Sequence, residues 1–263
     1  MPTTTQKRHP IALLTDFGLS DHFVGVMKGV IISMNPSVRI IDISHEVPAH
    51  DIANGGYLLW SSYRYFPPGT IFVCVVDPGV GSSRRILGVR TRLFTFLAPD
   101  NGLLDLVLSE EKHYHAVRIK EHGTFIAHKV SSTFHGRDVF APIAADLSLG
   151  ISLSRMGSRI SLPLKHSLFF TSAESGGIAR ILHIDRFGNL ITNLRWSEKK
   201  ETVGIVVGGK TVRHWIENYA EAPAGRPSLI LGSSGLVEIV VKEGKASEVL
   251  GVDSSVSVKV VKI

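Results

Sequence analysis

The sequence has one cysteine in 263 residues, Cys74. A lone cysteine excludes a disulfide within the chain, and its place in an apolar run argues against a reactive thiol. No apolar run approaches the ~18 residues of a membrane span. The first ten residues, MPTTTQKRHP, are polar and lack the apolar stretch of a signal peptide. A frayed N-terminus over residues 1–9 and a cytoplasmic location are expected. Charge of one sign is scarce too. The formal net charge is +6, no Lys/Arg-rich run exceeds a few residues, and basic residues do not interleave with aromatics. The footprint of a nucleic-acid-binding surface is missing, so neither nucleic acid nor a membrane is an expected partner. His113, His115, His122 and His128 read as surface histidines, without a third ligand at metal spacing. No metal and no cofactor is expected.

What is present is apolar. Hydrophobic residues make up 44% of the chain, enough for a large core in one big domain or two smaller ones. The clearest stretch is Ile71 to Arg85, IFVCVVDPGVGSSRR. Its β-branched run, Ile71 to Val76, reads as a strand buried on both faces, as in a parallel sheet. It ends at Asp77, where ligands of open α/β sheets gather. Pro78 keeps Asp77 out of the helical region. Gly79 and Gly81 permit close approaches that other residues do not. Arg84 and Arg85 follow closely enough for a guanidinium to fold back on the carboxylate.

Before this stretch, Ile11 to Leu14 is a strand that ends at Thr15-Asp16-Phe17-Gly18. Phe23 to Ile32 has a helical apolar face, Val38 to Ile43 is a strand, and Ile52 to Trp60 is a helix. The order is that of a doubly wound α/β sheet between helices. Ile86–Arg90 and Thr95–Ala98 form a strand pair, and Pro99-Asp100-Asn101-Gly102 is a turn. A polar loop, Ser131 to Asp138, feeds a helix over Val139–Leu149 that Asp138 can cap. After Gly150 the helical period disappears. Residues 155–175 read as loop, and short strands from Gly177 to Val261 read as a small all-β barrel. The expected division is an α/β domain over 10–170 and a barrel domain over 176–263.

Several residues admit two readings. Asp77 with Arg84 is a reactive pair or an ion pair at a loop base. Asp16 is a ligand at a strand tip or a helix cap. His135 is an acid/base or a surface histidine. Gly79-Val80-Gly81 is half of a G-x-G-x-x-G fingerprint whose third glycine position is Arg84, and no Walker lysine follows. Asp-Phe-Gly at 16–18 lacks the rest of a kinase signature.

Five stretches taken together carry more. They are Thr15 to Gly18, Val75 to Gly81, Thr133 to Asp138, Ile184 to Asn189 and Ser233 to Glu238. In this order they resemble the S-adenosylmethionine hydrolase family, also called the S-adenosylmethionine hydroxide adenosyltransferases, relatives of the fluorinases and chlorinases. The resemblance covers roughly residues 10–262. It implies an N-terminal α/β domain, a C-terminal barrel, and a homotrimer with substrate bound between neighbouring subunits. It implies cleavage of S-adenosylmethionine by water to adenosine and L-methionine, with a catalytic triad of Asp77, Arg84 and His135. Asp16 is expected to accept hydrogen bonds from the ribose diol, and Asp21 and Asp185 to face the methionine amine. Phe187, Asn189 and Tyr219 match adenine and substrate contacts, Ser233 and Glu238 the methionine end, and Ala246 a backbone contact to adenine. Phe134 and Gly136, which flank the triad histidine within its motif, and His50 are expected to bind substrate as well. Two departures separate this chain from the halogenases. A carboxylate at Asp77 repels a halide ion, and His50 stands where fluorinases carry a tryptophan over the sugar. A halogenase and a non-catalytic nucleoside-binding protein are the rival readings.

Overall fold

A computed structural model describes residues 9–120, 130–162, 170–172, 179–196 and 203–262. The chain divides into two compact units, Met1–Leu168 and Phe169–Ile263.

The first unit is a seven-stranded sheet with helices. Its elements are β1 (Ile11–Thr15), α1 (Phe23–Met34), β2 (Ile40–Ser44), α2 (Ile52–Ser62), β3 (Ile71–Val75), β4 (Ile86–Thr91), β5 (Thr95–Pro99), α3 (Asp105–Leu108), β6 (Tyr114–Ile119), α4 (Ala141–Ser148) and β7 (Gly157–Ile160). The strand order is β2-β1-β3-β5-β4-β6-β7. β2, β1, β3 and β5 run parallel, and β4, β6 and β7 are added antiparallel. Half of this sheet is thus the expected parallel α/β core. β7 lies in a segment whose sequence reads as loop, because Gly-Ser-Arg-Ile has no alternation and gains its strand form by pairing with β6. β1 and β3 are buried along their whole length, as continuous apolar strands covered on both faces must be. Cys74 is fully buried there, and desolvation pushes its thiol far up. The main core joins β1 and β3 to Met27 and Ile31 of α1 and to Ile143, Ala144 and Leu147 of α4. None of the described helices is long and apolar enough to cross a membrane.

The second unit is β8 (Thr171–Ser172), β9 (Ala179–Ile184), β10 (Leu190–Arg195), β11 (Val203–Val207), β12 (Lys210–Val212), β13 (Pro227–Leu231), β14 (Leu236–Val241), α5 (Ala246–Leu250) and β15 (Ser257–Lys262). The strands run β12-β11-β15-β9-β10-β14-β13, with β8 beside β10. The path almost closes on itself. Residues just after β12 reach β13, where Ile216 N–H donates to the Leu229 carbonyl at 2.9 Å and Leu229 N–H to His214 at 2.7 Å. The result is a near-barrel around Ile181, Leu190, Ile205, Leu229, Val237 and Ile239. Among the described residues of this unit the one α-helix, α5, is five residues long, too short to leave a period in the sequence, which corrects the purely β expectation.

Candidate active site

β3 ends at Val75, and Asp77 stands two residues beyond its tip. The glycine-rich loop then returns Arg84 onto that carboxylate. Arg84 Nε donates to Asp77 Oδ1 at 3.1 Å and to Oδ2 at 2.9 Å, while Nη2 donates to Oδ2 at 2.5 Å. Both side chains are almost wholly buried, 9% and 4% exposed. The same Nη2 lies 2.7 Å from His135 Nδ1. A guanidinium only donates, so Nδ1 accepts, and an imidazole accepting there carries its proton on Nε2.

His135 arrives from another part of the chain. It precedes a π-turn, Gly136–Phe140, that leads into α4, and such turns concentrate at functional sites. Asp138 does not cap α4. Its carboxylate accepts from Ser131 N–H at 2.8 Å and pairs with Arg137, which holds it below the usual carboxylate range. It thereby ties down the loop of Thr133, Phe134 and His135. Gly81 joins the two loops. Its φ is +79°, and a Cβ there would sit 2.4 Å from the Ser132 carbonyl oxygen, so only glycine permits this approach.

Asp16 follows β1. Its Oδ2 accepts from the His50 backbone N–H at 2.9 Å, so it caps no helix. That role belongs to Asp51, which accepts from Asn54 N–H in α2. The loop around Asp16 is fixed by buried His45. His45 Nδ1 is 2.8 Å from Thr15 Oγ1, and its carbonyl accepts from Gly18 N–H at 2.8 Å. His50 itself has φ +67°, a conformation that histidine tolerates better than most residues.

The tips of these loops line a cavity of about 290 Å³, with Arg84 behind Asp77 and outside the lining. Asp16, His50, Asp77 and His135 supply its charge and hydrogen-bonding groups, and Phe17, Phe23 and Phe134 its aromatic wall. Phe134 packs edge to face on both Phe17 and Phe23, which are tilted against each other, with centroids 5.2–6.0 Å apart. Gly136 lies against them, since a Cβ there would be 3.0 Å from Phe134 and 3.3 Å from Phe17. The volume is at the low end of small-molecule sites, about 300–1,000 Å³. Asp21 is exposed and outside this lining. Phe17 and Phe23 were not singled out in the sequence, although Phe17 sits inside the Thr15–Gly18 quartet. Apolar rings beside a helix start look like core. Of the histidines, His113 and His115 are exposed, and His122 and His128 lie outside the described residues. No group of three or more His, Cys, Asp or Glu fit to hold a metal occurs among the described residues.

The second unit gathers the remaining candidates. Asp185 Oδ1 accepts from the N–H groups of Phe187 and Asn189 at 2.8 and 2.9 Å, and Oδ2 from Asn189 Nδ2 at 2.9 Å. This turn presents the Phe187 ring, 74% exposed. Tyr219, 53% exposed, donates its hydroxyl to Glu238 Oε2 at 3.3 Å. Glu238 is buried. Desolvation raises its pKa, opposed by Tyr219 and reinforced by the charge of Asp185. Ser233 is exposed in the turn before β14, and Ala246 is buried at the start of α5. Next to it, Ser247 N–H donates to the Gly188 carbonyl at 3.1 Å, tying α5 to the Asp185 turn.

Comparison with known proteins covers both units. Residues 11–157 match the model of the SAM hydroxide adenosyltransferase N-terminal domain, and residues 179–259 that of the C-terminal domain. An (R)-S-adenosyl-L-methionine hydrolase of Thermus thermophilus is 35% identical over 95% of this chain and 98% of its own. One from Methanocaldococcus jannaschii is 34% identical over 92% of each. A fluorinase of Nocardia brasiliensis is more distant, 28% identical over 80% of this chain and 79% of its own. A crystal structure of an uncharacterized conserved protein from Thermotoga maritima superposes with a TM-score of 0.85 at 35% identity, covering 95% of this chain and all of that one. With matches in both halves and in order, the chain belongs to the SAM hydroxide adenosyltransferase family.

Proposed function

We propose that this protein hydrolyses S-adenosyl-L-methionine to adenosine and L-methionine by attack of water on ribose C5′. The observation that carries the reading is the contact of one guanidinium nitrogen, Arg84 Nη2, with both Asp77 and His135. The sulfonium leaves as a neutral thioether, so no acid is required to protonate it. What the reaction lacks is a nucleophile, because neutral water attacks carbon poorly. In this reading the C5′–S bond breaks as the water O–C5′ bond forms, and the water gives up one proton. Asp77 is assigned as its acceptor. Arg84 stays protonated, and the Nδ1 lone pair of His135 is engaged by Arg84. Oδ1 of Asp77 receives one guanidinium contact against two at Oδ2, so it is the less committed oxygen. His135 Nε2–H orients the water. Positioning of the water by these groups supplies much of the rate.

In the same reading the ribose diol lies against Asp16 and the sugar face against the Phe17–Phe23–Phe134 wall. Asp185, Phe187, Asn189, Tyr219, Ser233, Glu238 and Ala246 serve the adenine and methionine ends. We also propose a homotrimer in which the barrel cluster of one copy completes the cavity of a neighbour, as the family resemblance implies and the small cavity favours. Light scattering should then give about three times 28.7 kDa. The reaction is tested by incubating purified protein with S-adenosylmethionine and quantifying both products. Equal amounts of adenosine and methionine are expected, with neither released by Asp77→Ala. A 5′-halo-5′-deoxyadenosine formed on adding chloride or fluoride would establish the halogenase instead. Tight adenosine binding without turnover would establish a binding protein.

A further inference from the structure

The loop from Asp77 to Arg85 places two of the three proposed catalytic groups, yet residues 80–83 are exposed. Its internal bonds are few. Ser82 N–H and Oγ donate to the Gly79 carbonyl at 3.1 and 2.7 Å, and Val80 N–H donates to Asp77 at 3.2 Å. A glycine-rich loop of this kind needs to be held at its ends. We propose that the turn after β5, residues 100–102, is a clamp that positions the catalytic loop, with Asn101 and Asp100 as positioning residues. This rests on the hydrolytic reading for its kinetic consequence.

Both ends of the loop meet this turn. The β3–β5 ladder stops at Val73–Leu97, which leaves the Val76 carbonyl beyond β5's main chain. Asn101 Nδ2 donates to that carbonyl at 2.8 Å, while its Oδ1 accepts from Leu103 N–H at 3.2 Å. Only a carboxamide of this length both donates and accepts so. At the other end, Arg85 Nε lies 2.6 Å and Nη2 2.5 Å from Asp100 Oδ2, and Asp100 N–H donates to the Arg85 carbonyl at 2.9 Å. Residue 76 directly precedes the catalytic carboxylate, and residue 85 directly follows the catalytic guanidinium. Two adjacent side chains thus fix the span across which Asp77 and Arg84 meet. The strand order explains why one turn reaches both ends, because β5 lies between β3 and β4. Neither Asp100 nor Asn101 lines the cavity, so substrate binding at Asp16 and the aromatic wall should not depend on them.

The test is a kinetic split joined to hydrogen exchange. Asn101→Asp, nearly isosteric but without the donor, is expected to lower kcat about 10-fold, since a misplacement on the order of 1 Å can cost up to 10²-fold. KM should stay within about twofold. Amides 79–84 should exchange faster by mass spectrometry, with the other peptides unchanged. Asp100→Asn and Arg85→Lys are milder and serve if Asn101 variants fold poorly. Each should cost about threefold in kcat, and the double variant no more than either alone. A charge swap, Asp100→Arg with Arg85→Asp, should recover part of the loss. The clamp is wrong if these variants keep full kcat, or if KM rises in step with the loss of kcat. It is also wrong if exchange quickens across the whole unit. Should the unaltered protein release no adenosine, the hydrolytic reading fails by itself, and the exchange pattern at 79–84 still decides the clamp.

Discussion

The two units carry different kinds of cluster. In the α/β unit the charged groups are buried and bonded to one another, so that Arg84 holds Asp77 and His135 at once. In the barrel unit the aromatic groups stand outward on turns, with Phe187 and Tyr219 largely exposed and the acids Asp185 and Glu238 tied beneath them. A buried, mutually bonded cluster suits charge placement at a reacting atom, because its geometry is fixed before substrate arrives. Exposed rings suit recognition, because they gain apolar contact only when something covers them. The comparison predicts that variants of the Asp77–Arg84–His135 cluster act on kcat and variants of the barrel cluster on KM.

The largest effect should come from Asp77→Asn, which keeps size but removes the base. We expect kcat to fall by about 10³-fold, within the range of lost general-base catalysis, while calorimetry shows adenosine affinity nearly unchanged. Equal loss of affinity would erase the proposed division of labour. Next, Phe187→Ala and Tyr219→Ala should each raise KM about 10-fold, the scale of a lost stacking ring, with kcat within about threefold. A barrel variant that instead abolished kcat would place chemistry in both units.

Glu238→Gln sharpens the contrast through pH. Burial raises the Glu238 pKa, so at the acid end the native side chain is neutral and resembles glutamine. As pH rises through that raised value, only the native protein acquires the charge suited to a methionine ammonium. Its KM should fall about threefold relative to the variant, on the order of a weak charge pair. Parallel KM curves across the pH range would remove this role.

The smallest effect lies outside both clusters. Asp146 is buried in α4, its Oδ2 has no hydrogen-bond partner among the described residues, and desolvation pushes its pKa up to about 6. An unfolded aspartate titrates near ~3.9, so the folded chain holds this proton more tightly. Its contribution is greatest below about pH 4 and is lost as pH rises towards about 6. Asp146→Asn should escape that loss. By pH 8 it should be more stable by about 1–2 kcal/mol, taken low because water screens part of the penalty. That corresponds to about 3–6 °C in melting temperature. At pH 4 calorimetry should show no difference, and kcat should not move at either pH.

Much of the fold was legible in local pattern. β1 and β3 are continuous apolar runs, α1 and α2 carry the helical period, and the short strands from Leu190 to Val241 are bounded by turn residues. These signals arise from burial, which selects residue type at a fixed spacing. Misread elements were those whose form comes from a neighbour. β7 exists by pairing with β6, α5 is too short to show a period, and Asp138 spends its carboxylate on Ser131 and Arg137 instead of a helix end.

The sequence by itself determined which residues can do chemistry and that Arg84 can return to Asp77, because seven positions with two glycines suffice for a tight loop. It did not determine that His135, 51 positions beyond Arg84, would meet the same guanidinium nitrogen. Nor did it show that Asn101 would grip the strand end before Asp77. Those contacts depend on which strands lie side by side in the sheet, and strand order is settled by packing the whole chain, not by any short stretch of it.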